Sequence, residues 1–258
     1  MSLENRGAVV TGGGRGIGSA TARTLASAGA KVVVSARSVE QLEAVKDELQ
    51  QAGHEAWAVP CDVTDSDQVE ALARQARELV GPVQILVNNA GIASSAPLKN
   101  LRLEEWNRLL AVNATGPFLC TQAFMPGMLE TGWGRVINVA SIAGKIGAPY
   151  IAGYCASKHA VVGFTRAVAA EVAARGVTVN AVCPGYVDTP MTEQSVANIA
   201  AKTGLSESEA RERLDSTSPQ NRLIEPEEVA FLIASLCQPE AKGINGQAIV
   251  LDGGTVQS

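Results

Sequence analysis

Tyr154 and Lys158 stand four residues apart in YCASK, a spacing that puts both on one face of a helix. A phenol and an ammonium so placed suit proton transfer to an oxygen. Tyrosine, with a pKa near ~10, exchanges protons poorly at neutral pH. A neighbouring ammonium stabilises the phenolate and lowers that value. A shift of about three units needs ~4 kcal/mol of differential interaction, within reach of a desolvated cleft. Upstream, Ser141 ends the apolar run RVINVAS, where a hydroxyl can hydrogen-bond and orient a carbonyl oxygen. Asn113, in LLAVNATGPF, is polar in an apolar helical stretch. Each residue also has an ordinary reading: helix surface for Tyr154, strand-end cap for Ser141, cap or buried scaffold for Asn113. Together they read as a proton-transfer set.

The segment TGGGRGIG (Thr11–Gly18) follows an apolar strand-like run and opens a helical one. Gly12, Gly16 and Gly18 allow a tight turn, close approach to a phosphate, and close helix–strand packing. A pyrophosphate can then rest on the helix N-terminus, against Gly12, Gly14, Arg15, Gly16, Ile17 and Gly18. The spacing departs from GxGxxG, and a ligand-free glycine turn is the alternative. The end of the second run, VVVSARS, selects the dinucleotide. An NAD site presents Asp or Glu there to the ribose 2′-hydroxyl. Ala36 occupies that position and Arg37 follows. Arg15 and Arg37, with Ser35 or Ser38, would suit a 2′-phosphate, each charge-assisted bond contributing ~1.5–3 kcal/mol. The alternative is a solvated Arg37. NADP(H) is expected over NAD(H), and with it reduction of a ketone by hydride from the nicotinamide and a proton from Tyr154.

Stepping outward, short apolar runs at 7–11, 31–35, 56–61, 84–89, 135–141, 177–184 and 247–252 predict strands. They are continuous rather than alternating, as in strands buried on both faces of a parallel sheet. Helical spacing fills the intervals. GSATARTLASAG ends at Gly29, VEQLEAVKDELQQAG at Gly53, and DSDQVEALARQARELVG opens on Asp65 or Ser66 as cap. Further helices are expected over LEEWNRLLAVNATGPFLCTQAFMPGML, kinked or divided by Pro117 and Pro126, and over GYCASKHAVVGFTRAVAAEVAARG. The alternation predicts a single α/β domain over 1–258: a doubly wound, seven-stranded parallel sheet with helices on both faces. Residues 189–222 break the rhythm. They are polar, with a capping box at Ser206/Glu209 opening a short helix, and form a candidate substrate lid.

Composition narrows the function further. A net charge of −5 argues against a nucleic-acid binder, and 4% aromatics against a base-stacking surface. No apolar run approaches the ~18 residues that span a bilayer. The N-terminus runs straight into a strand, without a signal peptide. Five dispersed cysteines and two histidines, with no CxxC, point to a reducing cytoplasm and no metal site.

TGGGRGIG, Asp62, NNAG (Asn88–Gly91), Asn113, Ser141, YCASK and PGYVDTP (Pro184–Pro190) together resemble the short-chain dehydrogenase/reductase family, over essentially the whole chain. The resemblance implies a Rossmann-type fold. It implies Tyr154 as general acid/base, with Lys158 tuning it and binding the nicotinamide ribose. Ser141 would bind the substrate oxygen, and Asn113 would hold a water that joins Lys158 to solvent. Asp62 and Val63 would contact adenine, Asn89, Ala90 and Gly91 the adjacent ribose region, and Pro184, Gly185, Val187 and Thr189 the nicotinamide end. Similar enzymes are usually homotetramers built on two long helices and the C-terminal strand. His159 points about 100° away from Lys158 around the helix and reads as packing or surface. Cys155 and Cys183 read as small buried hydrophobes.

The substrate is less legible. Ser94, Ser95, Ala143, Gly144, Ile151, Gly185, Tyr186 and Met191 are expected to line the pocket, with Ser141 and Tyr154 at its floor. They are small, apolar or neutral, which disfavours a free sugar or carboxylate. Lys202, Arg211, Arg213 and Arg222 on the lid would meet a CoA or pantetheine phosphate, or else be solvated charges balanced by Glu207, Glu209 and Glu212. The stretch from SIAGK to VDTPM resembles β-ketoacyl-thioester and polyketide ketoreductases. The leading expectation is reduction of a 3-oxoacyl thioester on CoA or acyl carrier protein. The rivals are a dehydrogenase for a plain hydrophobic or cyclic ketone, and a non-catalytic NADP-binding sensor.

Overall fold

Seven apolar runs become seven strands in a computed structural model that describes residues 2–257. They are β1 (Gly7–Thr11), β2 (Lys31–Ala36), β3 (Ala56–Pro60), β4 (Val83–Asn88), β5 (Gly134–Val139), β6 (Val177–Pro184) and β7 (Ala248–Leu251). Every pairing is parallel, in the order β3-β2-β1-β4-β5-β6-β7. The order reverses between β1 and β4, and the crevice beyond the carboxyl ends there is where ligands sit in such sheets.

Alternate residues of one strand feed opposite layers. Ala8 and Val10 of β1, with Val32 and Val34 of β2, pack on α1 (Gly16–Ser27), α2 (Val39–Gln51) and α9 (Pro226–Leu236). Val9 and Val33 face the other way, against α3 (Ser66–Val80), α5 (Gly116–Thr131) and α6 (Ala152–Val172). The sheet is therefore covered on both faces, which accounts for its uninterrupted apolar runs.

The expected strand bounds hold to within two residues, with one consequence for the site. β5 stops at Val139, so Ser141 lies beyond it and caps a short 3₁₀ turn at Ile142–Gly144, accepting from the Ala143 N–H at 3.1 Å. The prolines act unequally. α4 (Leu103–Leu110) gives way to a π turn over Ala111–Thr115, and Pro117 sits in the first turn of α5. Pro117 has no N–H to offer the Asn113 carbonyl four residues back, so the ladder is broken there. Pro126, by contrast, lies inside α5 without dividing it.

Residues 189–222 hold two helices rather than one. α7 (Pro190–Thr203) begins on a proline in its first turn, a helix-start signal overlooked beside the polar composition. α8 (Glu207–Asp215) opens on the expected Ser206/Glu209 capping box. The two close on each other over Val196, Ala210, Leu214 and Leu223.

Candidate active site

The catalytic candidates converge from three elements beyond β5. α6 carries Tyr154 and Lys158, the turn after β5 carries Ser141, and the π turn carries Asn113. The Ser141 hydroxyl faces the Tyr154 hydroxyl closely enough to favour its phenolate. Lys158 Nζ lies 5.8 Å from the Tyr154 ring centre and donates to the Val139 carbonyl at 2.8 Å. Lys158 is only 6% exposed and its ammonium meets no carboxylate. Burial lowers its pKa to about 8. Burial also pushes Tyr154 up to about 12, against the opposing influence of the Ser141 hydroxyl. The free protein therefore holds a neutral phenol, the form that can give a proton.

The buried lysine also makes stability depend on pH. Its folded pKa of about 8 lies below the ordinary 10.5, so the unfolded chain binds more protons between those values. Its burial cost is fully present below about pH 8 and relieved as pH rises toward 10.5. Lys158→Met should therefore melt higher than the parent at neutral pH, and the gap should close as pH rises through that window. A gap that does not change with pH would show that the lysine is not desolvated.

Asn113 is placed differently from the simplest expectation. Its Oδ1 accepts from the Ile92 N–H at 2.9 Å, while its Nδ2 donates to the Ile92 carbonyl at 2.9 Å and to Ser157 Oγ at 3.0 Å. The amide is spent on structure, so a water joined to Lys158 would use the backbone carbonyl in the π turn. His159 is exposed, as expected, with Nδ1 2.9 Å from the Cys155 carbonyl. Cys183 is buried, but Cys155 is only half-buried.

The glycine loop fits an anionic diphosphate. Gly12 and Gly16 have φ of +64° and +54°, a region that favours glycine. Arg15 precedes α1 without any side-chain cap, and no acidic residue lies in the first turn. The helix N–H groups and their positive dipole end thus have no side-chain partner of their own. Around them Gly14, Ile17 and the exposed Arg15 form the rim, and Thr189 lies against Gly16, 3.1 Å from where a Cβ would sit. Gly91 lies beside Lys158, its own would-be Cβ 3.7 Å from Nζ.

Several expected contacts fall elsewhere. Asn89 Nδ2 donates back to the Thr11 and Gly12 carbonyls at 3.0 and 3.1 Å, so its amide nitrogen holds the loop. The N–H groups of Asn89 and Ala90 both donate to Thr11 Oγ1. Ser35 is 1% exposed inside the sheet, its hydroxyl unpartnered, and cannot reach a phosphate. Ser38 caps α2. Arg37 is 72% exposed, with its guanidinium 3.9 Å from Asp62. Asp62 Oδ1 accepts from Thr64 N–H and Oγ1, and Val63 packs against Gly116. Val187 points into the core, leaving only its backbone toward a ligand. Pro184 ends β6 buried, and Gly185 packs on Asp252.

Of the pocket residues, Ala143 is buried, Ile151 half-buried and Tyr186 exposed. A cavity of about 60 Å³ runs from Ile142, Gly185 and Tyr186 to Leu214 and Thr217, joining the site to α8. A larger open groove is lined by Gln220, Ile224, Glu228, Asp252 and Gly253. Arg211 pairs with Asp188 at 2.6 Å and Arg222 with Glu228 at 2.6 and 2.8 Å, not with the glutamates of α8. Lys202 Nζ reaches the Ser95 carbonyl and hydroxyl at 3.4 Å. Two features escaped the sequence reading. Asn88, Asn138, Thr121 and Thr165 form a buried polar chain beneath the site. Tyr150 takes a φ of +70°, its carbonyl accepting from Ala96 at 2.8 Å.

The family model for short chain dehydrogenases matches residues 6–200. The chain belongs to the short-chain dehydrogenase family. It is an oxidoreductase, of a family that uses a nicotinamide dinucleotide. Among short-chain dehydrogenases, it is 43% identical to a 3-oxoacyl-[acyl-carrier-protein] reductase of Synechocystis sp., over 96% of each chain. It is 41% identical to a cis-4-hydroxycyclohexanecarboxylate dehydrogenase of Sinomonas cyclohexanicum, over 98% of this chain and 97% of that one. A solved structure of an actinorhodin polyketide ketoreductase variant with NADPH superposes with a TM-score of 0.95, at 41% identity over 99% of each chain. Among the described residues, no helix is long and apolar enough to cross a membrane, and no His, Cys, Asp and Glu group could hold a metal.

Proposed function

We propose that this chain uses NADPH to reduce a 3-oxoacyl thioester, carried on CoA or acyl carrier protein, to its 3-hydroxyacyl form. The observation that carries the chemistry is the Ser141–Tyr154 hydroxyl pair beside the buried Lys158. A nicotinamide dinucleotide held at the Gly12–Gly18 loop would supply the hydride that the carbonyl carbon takes up. Ser141 hydrogen-bonds the carbonyl oxygen, and Tyr154 gives its phenolic proton to that oxygen as charge develops. Lys158 holds the resulting phenolate, which regains a proton through Lys158 and water at the Asn113 carbonyl. The thioester reading draws on the acyl-carrier-protein reductase likeness.

NADP preference is supported by Ala36 at the end of β2, where an NAD site would present an acidic residue, and by the exposed Arg15 and Arg37. The reading extends to a homotetramer in a reducing cytoplasm. Phe118 on α5 and Phe231 on α9 are 41% and 59% exposed, and all five cysteines are free.

The test is the initial rate of acetoacetyl-CoA reduction with NADPH and NADH in parallel. Turnover should favour NADPH. Arg37→Ala should raise KM for NADPH about ten- to a hundredfold while leaving NADH unchanged. A preference for NADH overturns the phosphate site. A second reading, a plain cyclic ketone, is favoured by the likeness to the cyclohexanecarboxylate dehydrogenase. A roughly tenfold higher kcat/KM on such a ketone, worth ~1.4 kcal/mol, would decide for it.

A further inference from the structure

Ser157 lies between Tyr154 and Lys158 in the chain, yet has no part in the proton-transfer set. It is fully buried. Its Oγ donates to the Tyr154 carbonyl at 2.7 Å, and the same oxygen accepts from Asn113 Nδ2 at 3.0 Å. Asn113 in turn grips both backbone groups of Ile92, at 2.9 Å each. One hydroxyl therefore ties the catalytic helix α6 to the π turn, and through it to the segment after β4. No other side chain of α6 is recorded bonding to Asn113.

We propose that Ser157 is a positioning residue for proton transfer: it fixes the Asn113 turn against α6, and so sets where that backbone carbonyl stands relative to Lys158. The inference rests on the proposed role of Tyr154 and Lys158, and adds a residue that role does not include. The π turn makes the position sensitive. Pro117 cannot donate to the Asn113 carbonyl, so the helix ladder alone does not fix its direction. The Asn113 amide then supplies the register, and among the described residues Ser157 is its only bond to α6. Without that tie, the carbonyl and its water move relative to the ammonium. Lys158 then supports the phenolate less well, and Tyr154 should hold its proton more tightly. The titratable groups around the pair are Tyr186, Cys155 and Cys183, with no carboxylate facing Tyr154 or Lys158.

Ser157→Ala and Ser157→Cys separate hydrogen bonding from volume. The thiol fills the space but is a weak donor and acceptor. The chain has three tyrosines, so carbon-13 labelling at Cζ gives three signals, assigned with Tyr150→Phe and Tyr186→Phe. Titrating the NADP⁺ complex by NMR, where the positive nicotinamide lowers the Tyr154 midpoint, needs no substrate. The expected result is that both variants raise the Tyr154 midpoint of that complex by about one unit over the parent complex, a tenfold change in proton affinity. With a ketone that the parent reduces, kcat should fall about tenfold at neutral pH, with KM for the cofactor unchanged and the pH–rate profile displaced upward. Ser157→Thr, which keeps the hydroxyl, should restore the parent midpoint. If Ser157→Cys titrates and turns over like the parent, the hydroxyl only fills space and the inference is overturned. A parent that reduces no ketone would defeat the functional reading instead, and the NMR titration would still decide for or against Ser157.

Discussion

Tyr154→Phe should lower turnover by about 10²–10⁴-fold, the range that a positioned acid contributes. The substitution removes one hydroxyl and leaves the ring. Lys158 keeps its bond to the Val139 carbonyl, and the loop that would hold the dinucleotide is built from other elements. Cofactor affinity, read by NADPH fluorescence, should therefore stay essentially constant while kcat collapses. Turnover that survives would remove Tyr154 from the reaction. Loss of cofactor affinity along with turnover would mean that α6 had been misassigned as a purely chemical element.

The second large effect belongs to Gly18. A Cβ there would land on the Gly12 carbonyl oxygen and 2.6 Å from Asn89 Nδ2, the amide that holds the loop closed. Neither neighbour is a flexible side-chain end: one is backbone, the other is fixed by two hydrogen bonds. Gly18→Ala must therefore displace the loop, at a cost of about 1–3 kcal/mol typical of overpacking. Cofactor binding should weaken about ten- to a hundredfold, since the displaced carbonyls flank the phosphate position. Gly243→Ala serves as control, because a Cβ there meets nothing within 4 Å. NADPH titration and thermal melting of the two variants give the comparison. Equal affinity in both would mean that the loop tolerates a side chain and that Asn89 does not clamp it.

The sheet was legible because its strands are buried on both faces, so each appears as an unbroken apolar run flanked by glycine or polar caps. Tyr154, Lys158 and Ser141 were legible because their spacing along one helix and one strand end is local. What escaped depends on contacts between distant segments. Asn89 looks like a ligand residue in NNAG, and only its bonds to Thr11 and Gly12 turn it into a clamp. Ser157 gains its significance from Asn113 on another element. Ser35 follows an apolar run like a surface residue, but the pairing with Thr11 and Val59 keeps it inside the sheet. The polarity of residues 189–222 concealed α7, whose few apolar residues suffice because α8 supplies the other half of their core.

That small shared core also bears on how substrate range can diversify. The α7–α8 hairpin shares a small apolar core of its own, and its side chains reach the body through Arg211 to Asp188, Lys202 to Ser95 and Thr192 to the Val187 carbonyl. A segment built this way behaves as a cassette. On the proposed reading of this segment as the rim of the pocket, exchanging it between Thr189 and Leu223 is expected to alter ketone range while leaving the sheet and the Tyr154–Lys158 chemistry in place. Chimaeras cut at those two points are a natural route to new ketone specificities on this scaffold.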